Sequence, residues 1–124
     1  MVIDTGIFIE HLRSKDKTAT TLYRLSDQPY LYISAVSLYE LYMGATTKEK
    51  EHDIKLLIED LIVLSFTDAV SIKASQIYHR LRLSNQMIEF RDIFIAATCI
   101  VNKLPIATLN KKHFTRVEGL KIVK

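Results

Sequence analysis

The sequence predicts an α/β fold: a three-layer α/β/α sandwich whose mainly parallel sheet has about five strands. Short apolar runs alternate along the 124 residues with segments whose apolar residues recur every three or four positions, and this alternation is typical of parallel α/β folds. The chain has only 3 glycines and 2 prolines, few for the turns of an all-β fold. Its length fits a single domain, residues 1–124.

Five short apolar runs have the character of buried strands, which in parallel sheets are rich in Ile, Val and Leu. In chain order they are residues 2–3, 31–33, 62–64, 104–107 and 120–123. Pro29 marks a turn before the second run. These runs are the predicted strands of the sheet.

Helical periodicity fills the segments between the strands. The predicted helices cover residues 7–12, 17–26, 36–43, 54–61, 70–81 and 91–102, and residues 110–114 are predicted to form a turn or a single helical turn. We expect Gly44 to end the third helix. Thr46 and Glu49 have the spacing of a capping box before the fourth, and Thr67 or Asp68 can cap the fifth. Residues 85–88 are predicted to be a loop.

The composition excludes several classes of protein. Cys99 is the only cysteine, which excludes an intramolecular disulfide framework and a cysteine-rich zinc site. No apolar run approaches the ~18 residues of a membrane-spanning helix, and the N-terminus lacks the basic region of a secretory signal. We therefore expect a cytoplasmic protein with no membrane partner. The net charge of +3 is compatible with nucleic-acid binding but does not demonstrate it.

Three of the 14 acidic residues stand in apolar surroundings. Asp4 follows the first strand, Glu40 lies within the apolar stretch 36–43, and Asp92 lies within the stretch 88–97. A buried carboxylate needs a partner, a hydrogen bond or a metal. All three stand at predicted helix starts, which lie at the carboxyl edge of a parallel sheet, where ligands bind. We therefore expect these side chains to converge.

Each acid also has a structural explanation that the sequence leaves open. Asp4 could cap a helix beginning near Thr5, and Glu40 could complete a capping box with Ser37. Asp92 could stabilise the first turn of its helix through the macrodipole. Converging carboxylates, however, repel one another unless a cation compensates, and Mg²⁺ and Mn²⁺ prefer oxygen ligands. Such a site suits phosphodiester hydrolysis by a metal-activated water.

The acidic segments resemble those of the PIN domain family, specifically its VapC-type ribonuclease toxins. Residues 2–10, VIDTGIFIE, resemble the first strand and acidic motif, and residues 34–44, SAVSLYELYMG, resemble the second motif. Residues 91–100, RDIFIAATCI, resemble the D-x-x-I-A-A segment. Residues 104–114, LPIATLNKKHF, resemble the strand and the T-x-N-x-x-D-F element after it, and residues 117–123 resemble the last strand.

The resemblance implies a metal-dependent endoribonuclease that acts as the toxin of a toxin–antitoxin pair. It implies Mg²⁺ or Mn²⁺ as cofactor, RNA as substrate, and a cognate antitoxin and a second copy of the chain as protein partners. It places Asp4, Glu40 and Asp92 as catalytic residues and metal ligands. A phosphoacceptor signalling domain is disfavoured, because no acid directly follows the third strand.

The family often has a fourth acid in the T-x-[DN]-x-x-D-F element, and here Asn110 and His113 occupy its two positions. Asn110 and Glu89 are candidates for a further metal ligand. The replacement leaves an alternative open, namely a non-catalytic PIN scaffold that binds RNA or a protein.

Other polar residues are candidates for orienting the carboxylates or contacting RNA, although each also fits a cap, a turn or a solvated surface. They are Thr5, Ser37, Thr108, Asn110, His113, Arg91, Lys111, Lys112 and Arg116.

Overall fold

Four parallel strands form the sheet of the computed structural model, which describes all 124 residues. They are β1 (Val2–Ile3), β2 (Tyr32–Ser34), β3 (Ile62–Leu64) and β4 (Ile106–Ala107), in the spatial order β3–β2–β1–β4. The predicted strand at 120–123 is reduced to one parallel bridge between Ile106 and Ile122. Two backbone hydrogen bonds, of 2.9 and 2.8 Å, hold this bridge. Ile122 thus continues the sheet beyond β4.

Seven α-helices connect and cover these strands. They are α1 (Thr5–Arg13), α2 (Thr21–Leu25), α3 (Ala35–Met43), α4 (Lys48–Ile58), α5 (Asp68–Leu83), α6 (Phe90–Val101) and α7 (Lys111–Phe114). A 3-10 turn at Lys17–Ala19 precedes α2. No helix is both long enough and apolar enough to cross a membrane.

The alternation of side chains along β1 explains the three layers, because successive residues of a strand point to opposite faces. Val2 belongs to a buried cluster with residues of α5, α6 and α7. Ile3 belongs to a second cluster with residues of α1 to α4. Ile106 and Ala107 of β4 divide between the same two clusters. The predicted three-layer α/β fold is confirmed.

The structure corrects two predicted caps. Ser34, not Ser37, is the N-cap of α3, and its side chain accepts a hydrogen bond from the Ser37 backbone N–H. The alternative explanation of Glu40, a capping box with Ser37, is therefore wrong. Thr47 rather than Thr46 caps α4, since its hydroxyl accepts from the Lys50 N–H. At α5 the predicted Thr67 cap is present.

The predicted helix at 17–26 is interrupted at Thr20. This residue has an extended backbone, with φ −92° and ψ 158°, and its buried side chain caps α2. An extended residue cannot continue a helix, so the segment divides into the 3-10 turn and the short helix α2.

The strand order determines which residues meet at the carboxyl edge of the sheet. Because β1 lies between β2 and β4, Asp4 at the end of β1 is flanked by Ser34, which ends β2, and by Thr108, which follows β4. Helices α1 and α3 begin at this edge, directly after Asp4 and Ser34.

Candidate active site

Asp4 is fixed at both carboxylate oxygens. The Thr5 backbone N–H donates to Oδ1 at 2.9 Å, so Asp4 is the N-cap of α1. The Thr108 hydroxyl donates to Oδ2 at 2.6 Å. Asp4 is only 7% exposed, and this burial raises the pKa of its carboxyl above the usual value, although the two hydrogen bonds oppose the shift. Asp4 is therefore both a helix cap and a buried, positioned acid.

Glu40 is tied to the Asp4 side of the site through a row of hydroxyl groups. Thr5 Oγ1 lies 2.9 Å from Glu40 Oε1 and 2.7 Å from Ser37 Oγ. The Thr5 hydroxyl has one hydrogen, so it donates a hydrogen bond to the Glu40 carboxylate and accepts one from the Ser37 hydroxyl. Ser37 Oγ in turn lies 3.2 Å from the Ser34 hydroxyl. The row links the end of β2, the start of α1 and the middle of α3.

Asp92 lies in the first turn of α6, with a side chain 15% exposed. Burial, followed by the negative charges of Asp4 and Glu89, raises the pKa of Asp92 to about 6. Arg91 and His113 act in the opposite direction. The effect of Asp4 on Asp92 shows that these two acids share one electrostatic environment.

Arg91 contacts two carboxylates rather than solvent alone. Its Nη1 lies 3.3 Å from Glu40 Oε2, and its Nη2 lies 2.6 Å from Glu89 Oε2. Glu89 is the N-cap residue of α6 but makes no side-chain capping bond. The Glu89 side chain is 62% exposed, so it lies at the rim of the site.

Asn110 and His113 form a pair next to Asp92. Asn110 Nδ2 lies 2.7 Å from His113 Nδ1, and that nitrogen lies 4.0 Å from Asp92 Oδ2. The Asn110 backbone N–H donates to the Thr108 hydroxyl at 2.9 Å. The two residues at the positions of the missing fourth acid thus border Asp92, and Asn110 is also tied to the hydroxyl that holds Asp4.

The PIN domain family model matches residues 1–120 of the chain. The chain belongs to the PIN domain family. Ribonuclease VapC10 of Mycobacterium tuberculosis is 33% identical to this PIN domain over 121 residues, covering 98% of it and 90% of the relative. Ribonuclease VapC1 of Methanocaldococcus jannaschii is 27% identical over 124 residues, covering 98% and 85%.

Solved structures share the fold of this PIN domain. The DNA-bound VapBC of Salmonella typhimurium superposes with a TM-score of 0.88 at 24% identity, covering 98% of this chain and 95% of that one. VapBC-1 of nontypeable Haemophilus influenzae gives 0.86 at 23% identity, covering 99% and 96%. The identity is low, so these two structures support the architecture rather than the site.

The donor groups of the PIN domain suit a hard divalent cation. Asp4 and Asp92 supply carboxylate oxygens that repel one another. A bound cation would reduce this repulsion. The structure does not, however, bring three or more Asp, Glu, His or Cys side chains to within metal-ligand range of one another. Mg²⁺ commonly takes only one or two carboxylates and completes its shell with water and phosphate, so Asp4 and Asp92 fit this mode of binding.

The basic residues predicted to steer RNA divide into two groups. Lys111 and Lys112 are exposed on α7, next to His113. Arg116 instead donates to the Met87 carbonyl oxygen at 3.1 Å, so its guanidinium holds the loop before α6. Lys111 and Lys112 therefore remain available for an anionic ligand.

Sequence reasoning missed two features of the site. Ser34, which is fully buried, caps α3 and supports Ser37. Its position at the end of an apolar strand, directly before an apolar helix, is the signal that could have identified it. The contact between Arg91 and Glu40 joins residues 51 positions apart in the chain, and no local sequence pattern predicts it.

Proposed function

We propose that this PIN domain is a metal-dependent endoribonuclease that acts as the toxin of a toxin–antitoxin pair. One observation supports the proposal above all others. Asp4 and Asp92, from the starts of two different helices, lie largely buried in one environment, and Asp4 raises the pKa of Asp92. Acids with perturbed pKa values in a shared site are typical of catalytic centres.

In the proposed site, Asp4, Asp92 and Glu40 would hold Mg²⁺ or Mn²⁺. When bound, the cation supplies charge neutralisation at the scissile phosphate and an activated water. Thr108 and the Thr5 N–H orient the Asp4 carboxylate, and the Thr5 hydroxyl orients Glu40. Asn110 and Glu89 border the site as candidates for a further ligand. Lys111 and Lys112 attract the RNA backbone.

The names of the relatives support the substrate and one of the partners. Several curated relatives are named VapC ribonucleases, and solved structures of the fold are described as toxin–antitoxin complexes, including one from Klebsiella pneumoniae with a TM-score of 0.77. We therefore propose RNA as substrate and a cognate antitoxin as partner. A small gene that abuts or overlaps this one would be the expected source of the antitoxin.

We also propose that the chain forms a homodimer. An open apolar cleft of about 520 Å³ lies beside Glu40 and Arg91, and its walls include Tyr39, Met43 and Phe94. Tyr39 and Met43 are 64% and 59% exposed, and exposed apolar patches are typical of protein contacts. Light scattering of the purified protein tests this assembly, for which a monomeric mass would count against a second copy.

A non-catalytic scaffold is the second candidate function. It is favoured by the absence of a set of three ligand side chains and by the engagement of Glu40 with Arg91. A scaffold of this kind would bind RNA or a protein without cleaving the RNA. The two candidates therefore differ in a single measurable property, cleavage that depends on a divalent cation.

Cleavage of single-stranded RNA by Asp4→Asn tests the proposal, with Asp16→Asn as the matched control. Both aspartates are N-caps whose side chains accept backbone hydrogen bonds, and Asn caps helices as well as Asp does. We expect Asp4→Asn to abolish Mn²⁺-dependent cleavage, and Asp16→Asn to retain it. Full cleavage by Asp4→Asn would contradict the catalytic role of Asp4, whereas no cleavage by the wild type with Mg²⁺ or Mn²⁺ would favour the scaffold.

A further inference from the structure

Arg91 forms a bridge between an inner and an outer carboxylate of the site. The inner partner, Glu40, has a side chain only 13% exposed, whereas the outer partner, Glu89, is 62% exposed. The contact to Glu40 is the longer of the two, at 3.3 Å against 2.6 Å. The two contacts use different nitrogens of one guanidinium, so the contact to Glu40 can break while the contact to Glu89 stays.

The positive charge of Arg91 acts on all three predicted catalytic acids. It contacts Glu40 directly, and it opposes the rise in the pKa of both Asp4 and Asp92. On the surface an ion pair of this kind contributes little to stability. Beside three largely buried acids, its main effect is to offset their mutual repulsion. A divalent cation at the same acids would serve the same purpose, and it would be repelled by Arg91.

Building on the proposed function, we propose that Arg91 is an internal counter-ion that competes with the divalent cation for the acidic site. Without a cation, Arg91 holds Glu40. When a cation binds, Arg91 releases Glu40 and keeps its contact with Glu89. Arg91 is thus a positioning residue that sets the affinity of the site for metal.

Mn²⁺ binding in the absence of RNA, measured by calorimetry and by the loss of free Mn²⁺ signal in electron paramagnetic resonance, tests this role. Arg91→Met removes the competing charge, and we expect it to bind Mn²⁺ about tenfold more tightly than the wild type, the order expected for one nearby, partly screened cation. Arg91→Lys keeps the charge and should remain close to the wild type. Arg24→Met is the matched control, because it removes one charge from exposed Arg24 on α2, and it should change the affinity less than twofold.

A double-mutant cycle distinguishes two roles of Glu89, namely holding the Arg91 guanidinium and binding the metal ion directly. If Glu89 holds Arg91 after Arg91 has released Glu40, Glu89→Gln weakens Mn²⁺ binding in the wild type and has a much smaller effect in the Arg91→Met background. An equal loss in both backgrounds would make Glu89 a metal ligand and would contradict the proposed movement of Arg91.

The outcomes distinguish failure of this inference from failure of the proposed function. If the wild type binds Mn²⁺ and Arg91→Met binds it equally or more weakly, the counter-ion role is wrong while the metal-dependent nuclease stands. If the folded wild type and folded Arg91→Met both fail to bind Mn²⁺, the metal site itself is wrong and the counter-ion role falls with it. Circular dichroism establishes folding, and Arg91→Gln replaces Arg91→Met should the latter not fold.

Discussion

The hydroxyl of Thr108 donates a 2.6 Å hydrogen bond to Oδ2 of Asp4, so the end of β4 orients an acid that lies 104 residues earlier in the chain. The same hydroxyl accepts a hydrogen bond from the Asn110 N–H at 2.9 Å. Thr108 is 5% exposed, so water does not readily replace either bond. The parallel pairing of β1 with β4 makes this contact possible, because it sets the ends of both strands side by side.

Thr108→Val should destabilise the protein by about 1–3 kcal/mol and reduce cleavage. Valine keeps the shape of threonine but removes both hydrogen bonds, leaving a buried carboxylate and a backbone N–H short of a partner. Urea unfolding and RNA cleavage measure the two effects. Thr108→Ser restores the hydroxyl and should recover most of both properties. Wild-type cleavage by a folded Thr108→Val protein would show that this bond does not position Asp4.

Asp92 makes the metal-free protein less stable as the pH rises. Its pKa is about 6 in the folded state against a usual 3.8, so between these values the folded state binds more protons than the unfolded state. The contribution of Asp92 to the free energy of unfolding is therefore fully present below about pH 4 and is lost as the pH rises through about 6.

Asp92→Asn, which stays neutral at every pH, isolates this contribution from the other acids. In EDTA, we expect its melting temperature to exceed that of the wild type by several degrees at pH 7, equivalent to on the order of 2 kcal/mol. At pH 4 the two proteins should melt nearly together. Thermal melts at both pH values measure the difference, and a gap that does not change with pH would contradict the raised pKa.

Ser34→Ala should lower the free energy of unfolding by about 1 kcal/mol, because it removes the N-cap of α3. Since Ser34 also lies against Ser37 in the hydroxyl row, the change should also loosen Glu40 and reduce cleavage. Thr47→Ala is the control, because it removes the corresponding cap of α4, away from the acids. It should cost similar stability with cleavage unchanged. Equal loss of cleavage in both variants would assign the effect of Ser34 to general destabilisation.

Replacing Lys111 and Lys112 with Gln should weaken RNA binding and reduce its dependence on salt. Each lysine that contacts a phosphate adds about one to the slope of log affinity against log salt concentration. Binding is measured in the Asp4→Asn background, so that cleavage does not interfere. Lys48→Gln combined with Lys55→Gln, on exposed positions of α4, controls for net charge. Equal losses of affinity in the two double variants would mean that α7 has no specific role in binding RNA.

The sheet and most of the helices could be predicted from local pattern alone. Val2–Ile3, Ile62–Leu64 and the buried helix α6 have apolar runs whose length and spacing admit few alternatives. The last strand was overestimated, because Ile122 is sufficiently apolar for a strand but forms only a bridge. An apolar run predicts a strand but not its burial or the extent of its pairing. The prediction that residues 62–64 are buried is wrong, because β3 lies at the edge of the sheet, with Ile62 47% and Val63 44% exposed.

The candidate site was predictable in its acids but not in its contacts. Asp4 and Asp92 stand out because a carboxylate in an apolar stretch is costly. The sequence predicts the second strand at 31–33, whereas β2 ends at Ser34. This one-residue difference hides Ser34 as the cap of α3 and leaves Ser37 as the candidate. The bridge from Arg91 to Glu40 depends on the packing of α3 against α6, which sequence spacing does not encode.

RNA cleavage by Asp92→Asn and Asp68→Asn in the presence of Mn²⁺ tests the acidic hydrolytic site most directly. Both aspartates lie in the first turn of a long helix, α6 and α5 respectively, so both substitutions remove the same favourable interaction with the helix dipole. Only Asp92 shares its surroundings with Asp4. We predict that Asp92→Asn loses cleavage by a factor of at least about 100, while Asp68→Asn cleaves RNA as the wild type does. If Asp92→Asn also cleaves RNA as the wild type does, Asp92 only stabilises α6, and this result would contradict the acidic hydrolytic site.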